Sequence, residues 1–168
     1  MLKKILVAVD ASERAPGVFD SAAELALKFG AILYSVQAIT IPPEFPAAAA
    51  AIEADALPAY LTKLAHAQLS DLSKRAVDLP ATTTIVVIGE PWRMILETAQ
   101  RLDVDLIVLG SHGYRGWDHV LGTTAGKVAN RANRNVLVIH QRASEFRVES
   151  DDDLEIAMPA ARSESEHK

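Results

Sequence analysis

Cysteine is absent from the 168-residue chain, which excludes both a disulfide framework and thiolate chemistry and fits a reducing cytoplasm. Long apolar runs are missing as well. No stretch approaches the roughly 18 consecutive apolar residues that a membrane-spanning helix needs. The run Ile5–Val9 is too short for the apolar region of a signal peptide, and Asp10 ends it. The chain therefore reads as cytoplasmic, with no membrane partner.

A basic excess is also lacking. The chain carries 22 acidic and 17 basic residues, for a formal net charge of −5. Eight of the acids and three of the bases fall in residues 143–168, leaving 14 of each in residues 1–142. A neutral body has no surplus of cations to neutralise a phosphate backbone, so no nucleic-acid partner is expected.

Several catalytic and binding signatures fail too. Gly126-Lys127 is followed by Val128, and Leu121 stands where a Walker A loop needs its first glycine. Gly110, Gly113 and Gly116 lack the G-x-G-x-x-G spacing, and no acidic residue ends the second strand as a dinucleotide site requires. Ser111 and His112 are sequence neighbours, poorly placed as nucleophile and base, and no G-x-S-x-G elbow exists. Asp10-x-Ser12 lacks the second aspartate of an aspartyl phosphatase, and no acidic pair precedes the first strand as in a phosphoacceptor receiver. His66, His119 and His140 show no metal-ligand spacing. There is no internal repeat.

What remains is a regular alternation. Five short, nearly continuous apolar runs stand out: Ile5–Val9, Ile32–Val36, Ile85–Ile88, Leu106–Leu109 and Val136–Ile139. Such runs suit strands of a parallel sheet covered on both faces. Between them, apolar residues recur at helical intervals: Val18, Ala22, Leu25, Ala26 and Phe29; Leu57, Leu61, Leu64 and Leu72; Ile95, Ala99 and Leu102; Ala125, Val128, Ala129 and Ala132. Pro91 suits the first turn of the third helix. The pattern predicts one α/β domain over residues 1–142, an open five-stranded parallel sheet with helices on both faces. For five strands of this kind a common order is 3-2-1-4-5. Residues 41–56, rich in proline and alanine, read as an inserted loop or lid. The acidic tail 143–168 has few large apolar residues and reads as disordered.

In open α/β sheets, ligands bind beyond the carboxyl ends of the strands where the strand order reverses. That rule singles out Asp10-Ala-Ser12 after the first strand and Gly110-Ser-His-Gly113 after the fourth. Glycines permit close approach of backbone to a ligand. Gly122-Thr123-Thr124 follows at the start of the fourth helix, where free N–H groups and the positive end of the dipole favour an anion. The plainer alternatives are that the glycines only make turns, that Thr123 only caps its helix, and that Asp10 and Ser12 only cap the first one. Trp92 and Trp117 read as covers for the sheet end or a dimer edge.

Lys4-Ile-Leu-Val-Ala-Val-Asp10-Ala-Ser12, Asp105-Leu-Ile-Val-Leu-Gly110-Ser-His-Gly113, and Gly122-Thr-Thr-Ala through Asn135-Val-Leu-Val-Ile139 together resemble the universal stress protein family. The resemblance covers about Leu2 to His140. It implies the 3-2-1-4-5 sheet, a homodimer paired through the last strands, and ATP or AMP, with or without Mg²⁺, as ligand. Nucleotide-binding members carry a G-x2-G-x9-G-(S/T) loop. Here Gly110-x2-Gly113 is followed by eight residues and then Gly122-Thr123, one residue short of that pattern. By position, the resemblance places Val9 and Asp10 at the ribose or metal-phosphate region and the Val36 backbone at the adenine edge. It places Gly110, His112 and Gly113 along ribose and phosphates, with Gly122, Thr123 and Thr124 at the phosphate end. The implied role is an adenine-nucleotide-binding stress sensor or regulatory protein. The rivals are a same-fold dimer acting through protein contacts without nucleotide, and a slow ATP hydrolase.

Overall fold

The computed structural model describes residues 1–41, 56–79, 82–111 and 122–140. Its elements alternate in chain order as β1 (Lys4–Ala8), α1 (Ala15–Phe29), β2 (Ile32–Ile39), α2 (Ala56–Ser73), β3 (Thr82–Ile88), α3 (Pro91–Leu102), β4 (Leu106–Gly110), α4 (Thr123–Arg131) and β5 (Asn135–Ile139). All pairings are parallel, and the strand order is β3-β2-β1-β4-β5, the common order expected for such a sheet. The central strand β1 registers Ala8 against Val36 on one side and Leu109 on the other. The order therefore reverses between β1 and β4. The postulated insert (residues 42–55 of it) and the acidic tail lie outside the described residues.

Two cores form, one on each face of the sheet. Ile5, Val7, Val9, Leu33 and Val108 meet Val18, Phe19, Ala22 and Ala26 of α1 and Leu69 and Leu72 of α2. On the other face, Leu6, Ala8, Val36, Ile107 and Leu109 meet Ile95 and Ala99 of α3 and Ala125 and Val128 of α4. Strand alternation produces this division: successive side chains point to opposite faces, so a run apolar throughout feeds both layers.

Two strands exceed the runs read from sequence by three residues each. β2 continues three residues past Val36 to Ile39, and β3 begins at Thr82. In β2 the buried polar residues Ser35 and Gln37 interrupt the apolar run, while in β3 three β-branched threonines extend it. The helix faces also shift. On α1, Phe19 is wholly buried, whereas Phe29 closes the helix half in solvent at 47% exposure. On α2 the inward stripe is Ala65, Leu69 and Leu72, and Leu64 lies off it at 49% exposure. On α4, Ala129 points outward and Ala132 follows the last helical residue. Pro91 does open α3, just after Glu90.

The amino ends of β1 and β4 are clamped together. The Asp105 carboxylate Oδ2 accepts from the amides of Lys3 (2.7 Å) and Lys4 (2.9 Å). The Lys4 ammonium donates to the Leu102 carbonyl at 2.9 Å. The two backbone bonds hold the Asp105 carboxyl below the usual aspartate range. This end of the sheet is fastened, and the carboxyl end is left to loops.

Candidate functional site

β1 ends at Ala8, and Val9 remains tied to the sheet, its amide donating to the Val36 carbonyl at 3.0 Å. Val9 and Val36 are both buried. Val36 is thus a mid-strand residue with one carbonyl lone pair engaged, and a carbonyl has two.

Asp10, half-buried, comes next and turns the chain. Its Oδ1 accepts from the Ser12 amide at 3.0 Å and from the Ser12 hydroxyl at 2.5 Å, a local side-chain turn typical of this residue pair. The pair does not cap α1. That helix begins at Ala15 behind Arg14, with no side-chain cap bond. Both bonds from Ser12 fall on one carboxylate oxygen. The main-chain carbonyl of Asp10 accepts from Gln68 Nε2 of α2 at 2.8 Å, and Gln68 Oε1 accepts from Gln37 Nε2 of β2 at 3.1 Å. This polar chain escaped sequence reading, because a glutamine within an apolar strand carries no motif.

Across the reversal point, β4 ends at Gly110. The buried Ser111 donates its amide to the Ile139 carbonyl at the end of β5 (2.9 Å). Its own carbonyl accepts from the Gly122 amide at 2.7 Å. Those two bonds set the start of α4 directly beyond the carboxyl ends of β4 and β5. Gly122 is the N-cap residue, with extended backbone (φ −51°, ψ 148°), and makes no side-chain cap bond. Thr123 is therefore the first helical residue rather than the cap. Its side is exposed and Thr124 is half-buried. The first intrahelical bond runs from the Gly126 amide to the Gly122 carbonyl at 2.8 Å, so the amides of residues 123–125 have no partner within the helix.

The structure thus sets Val9, Asp10, Val36, Gly110, Gly122, Thr123 and Thr124 at or near one edge of the sheet. His112, Gly113, Gly116 and Trp117 lie outside the described residues. Trp92 packs against the α3/α4 core, with Arg131 5.0 Å and Lys127 5.7 Å from its ring centre. It ties α3 to α4, as does the ion pair from Lys127 to Glu90 at 2.8 Å. That bond lowers the Glu90 carboxyl from its ordinary value. Among the described residues no cluster of three histidine, aspartate or glutamate side chains could hold a metal ion. No described helix is long and apolar enough to cross a membrane.

The model of the universal stress protein family matches residues 1–140. The chain belongs to that family. Universal stress protein A homolog 1 of Coxiella burnetii is 34% identical over 147 residues, covering 82% of this chain and 95% of that protein. Among solved structures, the universal stress protein UspA from Lactobacillus plantarum matches with a TM-score of 0.70 and 28% identity, over 82% of this chain and 97% of its own. A family member from Archaeoglobus fulgidus, solved in complex with dAMP, matches with a TM-score of 0.57 and 26% identity, over 83% of this chain and 99% of its own. The family match extends over the three sequence blocks whose ends form this edge of the sheet.

Proposed function

We propose that this universal stress protein binds an adenine nucleotide, ATP or AMP, at the carboxyl ends of β1 and β4, and acts as a sensor or regulatory protein through that occupancy. The observation that carries the reading is the seat of α4. Ser111 bonds to both Ile139 and Gly122, which sets a helix start whose first-turn amides have no partner within the helix at the crevice where α/β sheets take ligands. Phosphate oxygens fit there. The exposed Thr123 hydroxyl is a further donor, and Gly122 offers no side chain to obstruct the approach.

Asp10 fits the sugar. Its Oδ1 is occupied by Ser12, and Oδ2 faces no competing bond from that turn, so it can accept from a ribose hydroxyl. The Val36 carbonyl, level with Val9 through their shared bond, keeps its second lone pair for the amino edge of adenine. Gly110, His112 and Gly113 complete the ribose and phosphate contacts. Any Mg²⁺ would arrive with the phosphates, which supply most of its oxygen ligands. The relative from Archaeoglobus fulgidus, solved with dAMP, supports an adenine nucleotide over other phosphate compounds. The chain would work as a homodimer in the cytoplasm.

The test is direct. Protein purified from cells under native conditions is denatured, and the released small molecules are identified by mass spectrometry. Retained AMP or ATP, lost in Asp10→Ala, supports the reading. Protein free of nucleotide that also fails to take up added AMP and ATP favours the non-nucleotide dimer.

A further inference from the structure

The carbonyl of Asp10 has only acceptor capacity, and this sets the direction of the whole polar chain behind it. Gln68 must present its NH2 to Asp10, so its Oε1 faces Gln37. Gln37 must then donate, which turns its own Oε1 the other way. Among the described residues that oxygen is buried without a hydrogen-bond partner, in a residue only 7% exposed. Flipping the Gln37 amide would set two oxygens against each other at the Gln68 end. The chain therefore holds its direction even though it leaves one buried acceptor without a donor. Side-chain amides are assigned by such networks, and here the backbone carbonyl decides the assignment.

The consequence falls on the next peptide. With the Asp10 carbonyl drawn toward α2, the Ala11 N–H of the same planar trans unit points the opposite way. α2 lies over β2 and β3, on the α1 face of the sheet. β4 flanks β1 on the other side, and α4 lies on the other face. Away from α2 is therefore toward the crevice between β1 and β4, where Gly122 begins α4. Ala11 itself is exposed.

We propose that Gln68, oriented by Gln37, is a positioning residue that aims the Ala11 N–H into this crevice, where it donates to an oxygen of the bound nucleotide. The assignment rests on the nucleotide reading for its ligand, but the aiming of the peptide does not. Ser12 fixes the Asp10 carboxylate and Gln68 fixes its carbonyl, so the turn is held at two points from two different elements.

The experiment uses the full chain labelled with ¹⁵N, its Gln68→Met and Gln37→Met variants, and AMP as probe. Methionine keeps the length of glutamine and removes the amide. In the free protein, Gln68→Met should move the Ala11 and Ser12 amide resonances. On titration with AMP, the Ala11 amide proton of the wild type should shift downfield, and this response should be lost in Gln68→Met together with about tenfold in affinity. Gln37→Met should weaken AMP binding while the melting temperature stays near that of the wild type, because loss of the donor to Gln68 Oε1 is offset by removal of the buried Gln37 oxygen. A purely structural role would lower stability and affinity together. Ala11 resonances that match the wild type in Gln68→Met, or AMP affinity unchanged in both variants, would overturn the proposal. A wild type that takes no AMP defeats the nucleotide reading and the donation. The free-protein comparison then still decides whether Gln68 positions the peptide.

Discussion

At the scale of single residues, backbone conformation and local bonds outweigh side-chain type. Gly30 closes α1 in the left-handed region at φ 61°, its amide and the next reaching back to the carbonyls of Leu27 and Ala26. A Cβ there would meet no neighbour within 4 Å, so substitution tests the backbone alone. Gly30→Ala should lower stability by about 1 kcal/mol in urea unfolding. Asp105 works through its carboxylate. The amides of Lys3 and Lys4 depress its pKa in the folded chain, so the ionised form favours folding. Its contribution is complete above the ordinary aspartate value of about 3.9 and is lost as pH falls through the lower folded value. Asp105→Ala should therefore melt lower than the wild type at neutral pH, with the gap closing in strong acid. A gap that persisted there would point to packing rather than charge. Neither Asp105 nor the Gln37–Gln68 pair was legible as a bonding group in the sequence. Both act on main-chain atoms, and no motif marks such a bond.

At the scale of elements, the apolar runs located all five strands, most plainly β1 and β4, whose burial on both faces leaves a continuous signature. The order follows from the common arrangement of such sheets, not from the runs. The helices were legible in number and less so in face. A helix surrounded by alanine and leucine offers several stripes of similar hydrophobicity, and only the tilt of the packed helix selects one. α1 shows the difference. Phe19→Ala, which empties a fully buried position, should cost about 3–5 kcal/mol. Phe29→Ala, at the half-exposed last residue, should stay within about 0.5 kcal/mol. Urea unfolding of the two variants checks both. β5 is an edge strand whose residues are all half-buried or exposed, and an edge offers unpaired backbone groups to another chain. If the proposed homodimer forms across it, Val138→Lys should run as a monomer in light scattering while keeping wild-type circular dichroism. A dimer that survives the substitution would move the interface elsewhere.

At the scale of the molecule, charge and topology separate two tasks. Residues 1–142 are formally neutral, and the whole excess of five negative charges follows them. Removal of residues 143–168 should raise the isoelectric point from about 5.5 and lower solubility near neutral pH, as a body without net charge loses its mutual repulsion. Isoelectric focusing and a solubility series measure this. The fold places its fastened end at Asp105 and its open end at Asp10 and Gly122, which is where the reversal of strand order leaves room for a ligand. The place of the proposed site follows from strand order alone. Its internal bonding was not legible in the sequence, because it depends on a glutamine from α2 reaching a carbonyl fifty-eight positions away in sequence. The central claim is that the start of α4 and the Asp10 turn together hold an adenine nucleotide. Calorimetric titration of AMP and ATP into the full chain and into Gly122→Val tests it most directly. The backbone of Gly122 (φ −51°, ψ 148°) suits any residue, so the variant should fold normally. The account predicts saturable binding to the wild type and none to folded Gly122→Val. Equal binding by both proteins, or none by either, would contradict it.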